Sequence, residues 1–327
     1  MTSNINNIQQ DQLGQDGPQI GIQGLGCMGM SEFYGEPDEV GSRETLERAL
    51  ELGVNLFDTA DMYGLGANEE FLAPFIAANR GGVVIATKFG YSRTPENPDD
   101  WSIDNRPEFI RGAVDRSLKR LGVDVIDLYY MHRRDDRVAL EDSIGTMSDL
   151  VNEGKVKQLG LSAVSANELR AAHAIHPIAA IQSEWSIFTR NIEEEVVPAA
   201  SELGVTVVPY APLGRGMLTG KAFAKSLAGD DARRHFPRFS DNNRSTNIAL
   251  VAEIEAIASA RDVTAAQIAL AWLYAQSRKL NVKTVPIPGT RKRSRLEENV
   301  ASTSISLTAQ EMAALEPLAS AVQGVNV

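Results

Sequence analysis

The sequence predicts a closed eight-stranded parallel barrel in which strands alternate with helices, a (β/α)8 fold of the TIM-barrel type. Three observations lead there. Eight short runs rich in Val, Ile and Leu follow one another along the chain, the stretches between them carry helical periodicity, and six of the runs end on a polar residue. Strands buried on both faces read as near-continuous apolar runs, and parallel neighbours need a crossover long enough to hold a helix.

Residues 1–17, rich in Asn, Gln, Asp and Gly, carry too little apolar surface to offset the entropy of ordering and are expected to form a mobile tail. Residues 18–327 then make one barrel domain. Strands are expected at 20–25, 54–57, 83–87, 125–131, 157–161, 178–181, 206–209 and 283–287. Helices are expected at 43–52, 107–121, 140–152, 166–174, 192–203, 247–260 and 264–276, with Pro107 suited to a first turn. No interval is long enough for a separate domain, so the sheet is expected to close on itself, with an open doubly wound sheet as the competing architecture. Two insertions, 90–106 and 214–247, exceed what a connection requires and are expected to be functional lids or to lack order.

Composition excludes several classes of function. Of 327 residues, 43% are hydrophobic, enough for a sizeable core, and 32 Lys and Arg against 43 Asp and Glu leave a net charge of −11. That balance argues against a general partnership with nucleic acid or an anionic membrane. The single cysteine, Cys27, permits no intrachain disulfide and fits a reducing cytoplasm. No stretch approaches the roughly 20 apolar residues of a spanning helix, and no secretory signal opens the chain. The four histidines, His132, His173, His176 and His235, lack zinc-ligand spacing, so no metal is expected. Residues 160–164 fail the G-x-S-x-G pattern of a serine hydrolase because the last is Val164. The run 24–29, GLGCMG, fits G-x-G-x-x-G but is followed by Gly35 and Pro37 where a dinucleotide-binding turn should open a helix, so its glycines are read as the edge of the first strand.

The polar residues at the strand ends are Asp58, Lys88, His132, Ser162, Gln182 and Tyr210. Each alone is explained as a strand end in contact with water. In a barrel, however, all parallel strands end on one face, so the six ring a single mouth. Tyr63 follows Asp58 by five residues, close enough to return over that mouth. A phenol of pKa about 10 is a weak acid for an alkoxide at neutral pH, and a lysine ammonium beside it is expected to depress its pKa. Asp58, Lys88 and Tyr63 are the residue types required, with His132 placed to orient a carbonyl.

The segments GVNLFDTADMYG, VVIATKFG, IDLYYMHRRD, GKVKQLGLS, IQSEWSIFTR, PYAPLGRG and IPGTRKRSRLEENV, in that order over nearly the whole chain, resemble successive signatures of the aldo-keto reductase superfamily. The resemblance implies a catalytic tetrad of Asp58, Tyr63, Lys88 and His132, NADPH as cofactor, and reduction of an aldehyde or ketone with Tyr63 as proton donor. It further implies that Gly26 and Met28 line the cofactor's edge. Ser162 and Gln182 hold the carboxamide, and Trp185 lies against the nicotinamide. Tyr210, Pro212, Leu213, Gly214, Arg215 and Gly216 follow the pyrophosphate, while Gly289, Thr290, Arg291, Arg295, Glu298 and Asn299 surround the adenosine end. A helix starting near Ser294 would offer free backbone donors, and Arg291 and Arg295 forked donors, to a 2′-phosphate. Two positions depart from the family pattern: Ala163, where many members have Asn or Glu, and Met131, where many have Gln.

Phe33, Trp101, Tyr63 and His132 are the candidate substrate contacts, although Phe33 and Trp101 also suit plain packing, as Trp272 does beside Ile268 and Ala275. The basic run 291–295 has a simpler explanation as a solvated helix start than as a nucleic-acid patch. A rival function on the same fold is a cofactor-sensing regulatory subunit with little turnover, of the kind that serves a membrane channel. The short polar tail favours the enzyme over it. A barrel that binds ligand without chemistry does not suit an intact tetrad. The overall resemblance is to bacterial and plant members grouped with pyridoxal reductases and auxin-induced proteins, implying aldehydes or moderately bulky ketones as substrates, with the identity set by the loops. A homo-oligomer is compatible with the sequence.

Overall fold

Apolar runs with no polar face can be buried only in a sheet that is covered on both sides, and the chain folds accordingly. The computed structural model describes residues 7–221 and 231–325. A hairpin comes first, β1 Gln10–Gln12 with β2 Gln19–Gly21, antiparallel. Parallel strands follow in strict chain order, β3 Leu25–Gly26, β4 Leu56–Asp58, β5 Val84–Phe89, β6 Ile126–Met131, β7 Val156–Ser162, β8 Ile178–Glu184 and β9 Thr206–Tyr210. The helices are α1 Glu39–Glu51, α2 Ala67–Asn79, α3 Pro107–Leu121, α4 Leu140–Asn152, α5 Ala166–Ile175, α6 Val196–Leu203, α7 Asp241–Ala260, α8 Ala265–Lys279, α9 Arg293–Ala301, α10 Ala309–Leu315 and α11 Leu318–Ala321. The fold is a (β/α)8 barrel, and the open doubly wound sheet is excluded by the unbroken strand order and by its closure.

Closure falls to residues 283–287, which the sequence marks as the eighth strand. They pair with β9 through Val207 N to Lys283 O, Val285 N to Val207 O and Ile287 N to Pro209 O, all at 2.9–3.1 Å, and with the first strand through Gly24 N to Pro286 O at 3.0 Å. Pro286 has no N–H to give, so the ladder here is sparse and only one regular bridge forms, Val207 with Thr284. Alternate residues face inward and outward along each strand. Leu56, Val84, Ala86, Leu128, Tyr130, Ala180, Val208, Val285 and Ile287 fill the interior. Phe57, Ile85, Leu159, Ile181 and Val207 meet the helices with Leu46, Leu72, Ile144, Leu169 and Trp272. Gly160 is required by the interior layer: a Cβ there would lie 2.4 Å from the ring of Tyr130.

At the N-terminal end, two boundaries differ from expectation. The predicted first strand, 20–25, is divided: Ile20 belongs to the hairpin, and only Leu25 and Gly26 join the barrel. The expected mobile tail is ordered from residue 7 onward, while residues 1–6 lie outside the described residues. The reason is Leu13. Its side chain is wholly buried with Ile20 against the interior layer, and the turn around it is fastened by Gly14 N to Thr206 Oγ1 at 2.8 Å and by Lys283 Nζ to Gly14 O at 2.8 Å. One apolar side chain in the right place, together with backbone bonds, closes the barrel floor.

The two insertions are largely built. The loop 90–106 folds on itself through bridges Tyr91 to Ile103 and Thr94 to Asn97. Of 214–247, residues 222–230 lie outside the described residues, 3-10 turns occupy Gly214–Thr219, Ala232–His235 and Pro237–Phe239, and α7 already starts at Asp241, six residues earlier than expected.

Leu13→Ala should lower stability by about 2–5 kcal/mol, the range for truncating a buried leucine, and so shift the urea midpoint well below wild type. An unchanged midpoint would mean that the hairpin does not form the floor.

Candidate active site

Parallel register brings the polar strand ends to one level. Gly26 pairs with Asp58, Lys88 with Tyr130, Ser162 with Gln182 and Glu184 with Tyr210, all at the carboxyl ends of their strands. After Asp58 the chain turns back over the mouth, with Thr59 N bonded to Ala86 O and Asp61 N to Lys88 O, and a 3-10 turn begins at Tyr63. A five-residue excursion therefore delivers the phenol to the lysine.

Lys88 is completely buried. Its ammonium donates to Asp58 Oδ1 at 2.5 Å, to the Thr59 carbonyl at 2.7 Å and to the Tyr63 hydroxyl oxygen at 3.3 Å. Three donors meet three acceptors. Burial alone pulls the ammonium's pKa down, but Asp58 and Tyr63 together outweigh it and hold Lys88 above its usual value. Asp58 is bound at its other oxygen by Gln182 Nε2 at 2.7 Å.

The expected depression of the Tyr63 pKa does not appear. Burial raises it, Lys88 is the strongest opposing influence, Asp58 adds to the rise, and the net result lies above 10. Desolvation of the phenolate outweighs the lysine charge, so Tyr63 holds its proton across the neutral range. His132 stands edge-on to Tyr63, with ring centroids 5.8 Å apart. Burial first, then Lys88 and Arg133, push its pKa well below 6.5, so the imidazole is neutral. Its Nδ1 is buried and has no partner among the described residues.

The wall beside them is aromatic. Tyr91 lies 5.1 Å from His132 and 6.0 Å from Trp101, and Trp101 lies 6.3 Å from Phe33. Trp101 is about half exposed at 49%, and Arg93 packs 4.1 Å beneath its ring while bonding Glu32 at 2.9 Å. Phe33 and Trp101 thus belong to one row of rings that starts at His132. Tyr91, Arg93 and Arg133 were not singled out in the sequence. The only sequence signal for them was their position one to five residues beyond a strand end.

The remaining candidates divide. Gly26 and Gly289 approach backbone to backbone, for a Cβ on Gly289 would lie 3.0 Å from Gly26 O and one on Gly26 2.9 Å from Ile287 O, so the floor of this edge is bare main chain. Met28 is half-buried beside the Tyr63 cluster. Pro212 is buried, Leu213 half-buried, and Gly214, Arg215 and Gly216 are three successive left-handed residues with φ of 56, 54 and 94°. The Arg215 Nε is buried without a partner among the described residues. At α9, the N-cap residue Lys292 makes no side-chain cap, which leaves backbone donors open beside exposed Arg295, half-buried Thr290 and buried Asn299. Bare glycine edges, an uncapped helix and an orphaned guanidinium donor at Arg215 suit a dinucleotide with anionic groups.

Three expectations are corrected. Trp185 has no exposed surface and its indole N–H donates to Glu193 Oε1 at 2.9 Å, so it is a core residue that cannot lie against a ligand. Tyr210, half-exposed at the mouth end of β9, is the aromatic ring available there. Arg291 does not point at a phosphate: its guanidinium donates to the carbonyls of Tyr34, Gly35 and Glu36, and so holds the loop after β3. Glu298 accepts from Thr264 Oγ1 at 2.7 Å and fastens α9 to the start of α8. Ala163 has φ of 53°, a left-handed conformation that Asn tolerates better, and its methyl group offers no polar contact.

Among the described residues, no group of His, Cys, Asp and Glu could hold a metal, and no helix is long and apolar enough to cross a membrane. A model of the aldo/keto reductase family matches residues 24–320. A probable aldo-keto reductase of Glycine max is 40% identical over 307 residues, which cover 93% of this chain and 87% of the relative. Among solved structures, a glycerol dehydrogenase from Gluconobacter oxydans superposes with a TM-score of 0.83 at 29% identity, covering 96% of this chain and 95% of that one. An aldo-keto reductase from Bacillus halodurans in its holo form gives 0.75 at 26% identity, with 97% and 98% covered. With the barrel, the strand-end residues and these relatives in agreement, the chain belongs to the aldo/keto reductase family, oxidoreductases that act on carbonyl groups and use nicotinamide cofactors.

Proposed function

We propose that the protein reduces an aldehyde or ketone to the alcohol with NADPH, and that Tyr63 is the proton donor. The observation that carries this reading is the buried Lys88 ammonium, bonded at once to Asp58 and to the Tyr63 hydroxyl oxygen. When bound, the nicotinamide supplies a hydride to the carbonyl carbon. Because Lys88 donates to the phenol oxygen, the Tyr63 O–H is left free to donate to a substrate oxygen and to release its proton as negative charge develops there. The phenolate left behind is stabilised by the same ammonium, and Asp58 keeps that ammonium charged. Lys88, with no exposed surface, acts only through Tyr63. His132, neutral at pH 7, orients the carbonyl oxygen and is a poor candidate for the acid itself.

Ser162 and Gln182 hold the carboxamide, Tyr210 flanks the ring, 212–216 follow the pyrophosphate, and the start of α9 with Arg295 receives a 2′-phosphate. Phe33, Tyr91 and Trp101 give the substrate an aromatic wall suited to a carbonyl on a flat or apolar body. The lone cysteine, buried, is in keeping with a reducing cytoplasm.

Tyr63→Phe keeps the ring and removes the donor. General acid catalysis contributes typically 10²–10⁴-fold, so kcat should fall by roughly that factor with cofactor affinity and Tm little changed. The active form for reduction is the protonated phenol, whose pKa burial raises above its ordinary value, so wild-type activity should persist across the neutral range and fall only at strongly alkaline pH, and the variant should lose this limb. If Tyr63→Phe keeps more than about a tenth of wild-type kcat, the donor is another group.

NADPH should bind roughly ten-fold or more tightly than NADH, the range for a charge-assisted hydrogen bond. Arg295→Ala should abolish most of that preference. Arg291→Ala, which releases the 34–36 loop rather than a phosphate, should weaken both cofactors alike. Equal dissociation constants for NADPH and NADH in the wild type would refute the 2′-phosphate site, and a loss confined to NADPH in Arg291→Ala would return that role to Arg291.

A further inference from the structure

Arg133 follows His132 directly and reaches across to the neighbouring strand. Its Nη1 donates to the His132 carbonyl at 2.7 Å and to Ser162 Oγ at 3.1 Å. A guanidinium has donors only, so the Ser162 oxygen is the acceptor in this bond. The serine's own hydrogen is therefore turned away from Arg133 and remains available to an outside acceptor. Ser162 is almost wholly buried, at 1% exposure, and among the described residues Arg133 is the side chain bonded to its hydroxyl.

The neighbouring strand carries the complementary polarity. Gln182 pairs with Ser162 in the sheet, so the two side chains leave on the same face. Because Gln182 Nε2 donates to Asp58 Oδ2 at 2.7 Å, its Oε1 is the end left to accept. A hydroxyl donor thus stands beside an amide acceptor. A primary carboxamide presents one acceptor oxygen and one NH2 donor side by side, and this pair can receive it in one orientation. Ala163 adds no polar atom that could set the hydroxyl instead.

We propose that Arg133 is a positioning residue: by donating to Ser162 Oγ it fixes that hydroxyl as a donor, so that a cofactor carboxamide is held with its oxygen on Ser162 and its NH2 on Gln182. The inference rests on the reading that Ser162 and Gln182 hold the carboxamide, and the experiment separates the two. Arg133→Met keeps the aliphatic stem and removes the donors.

Dissociation constants are measured by titration for NADP+ and for adenosine 2′,5′-bisphosphate, which has the adenosine end and no carboxamide. Arg133→Met should weaken NADP+ about ten-fold and leave the bisphosphate unchanged. Ser162→Ala should do the same, the double variant should be no weaker than Ser162→Ala alone, and Arg133→Lys, which keeps a donor, should recover part of the loss. If Arg133→Met weakens both ligands equally, or if its effect adds in full to that of Ser162→Ala, Arg133 does not act through the serine and the inference is overturned. If Ser162→Ala and Gln182→Ala both leave NADP+ binding unchanged, the carboxamide reading itself fails. Should Arg133→Met not fold, the same cycle with Arg133→Gln, too short to reach Ser162, gives the same decision.

Discussion

A lysine with no exposed surface is the constraint on which the mouth of this barrel depends. Removing an ammonium from water costs several kcal/mol even after relaxation, and only a close counter-charge with its remaining donors satisfied offsets that. Lys88 has Asp58 at 2.5 Å, the Thr59 carbonyl at 2.7 Å and the Tyr63 oxygen at 3.3 Å. Each partner comes from β4 or from the chain just after it. The register of β4 against β5, Asp58 opposite Ala86, therefore cannot slip by one residue without stranding the charge inside. The same bonds fix the turn that carries Tyr63, so the site and the strand pairing share one origin.

The buried charge also acts on the protonation of its neighbours. Lys88 and Arg133 both disfavour a second cation, and with burial they leave His132 neutral. The phenol, although buried, keeps its proton because desolvation of the phenolate exceeds the help the ammonium gives. Two groups at one mouth are thus driven apart, one unable to hold an extra proton and the other holding its own until a stronger base appears beside it. A developing alkoxide is such a base. In the proposed reduction the phenolate that remains would find an ammonium already in place.

What the sequence made legible follows from what repeats. Strand ends are marked by an apolar run and a polar stop, and Asp58, Lys88, His132, Ser162 and Gln182 were all found by that rule because a barrel sends every such stop to one face. Leu13 was not legible, since a single leucine in a polar segment gives no period to read, and its burial depends on Ile20 and the interior layer far along the chain. Trp185 was misplaced for a related reason: directly after the polar pair Ser183 and Glu184 that ends β8, sequence cannot say whether an indole turns to the mouth or to Glu193. Arg291 illustrates a third limit. A guanidinium suits a phosphate and a cluster of carbonyls equally well, and only the course of the loop at 34–36, a long way off in sequence, decides between them.

That loop explains how parts far apart in the chain act on one pocket. The turn after β3 places Phe33 at the aromatic wall with φ of 74°, a conformation that a bulky residue holds only when its surroundings fix it. They do so from three sides. Glu32 takes Arg93, which supports Trp101; Ala232 N donates to Phe33 O while Arg233 lies over the Tyr34 ring; and Arg291 gathers the carbonyls of residues 34–36. The substrate wall, the segment after β9 and the edge that leads into α9 are therefore fastened to the same few residues of backbone. The aromatic row, the segment after β9 and the approach to α9 are thus joined through packing and hydrogen bonds on the loop after β3.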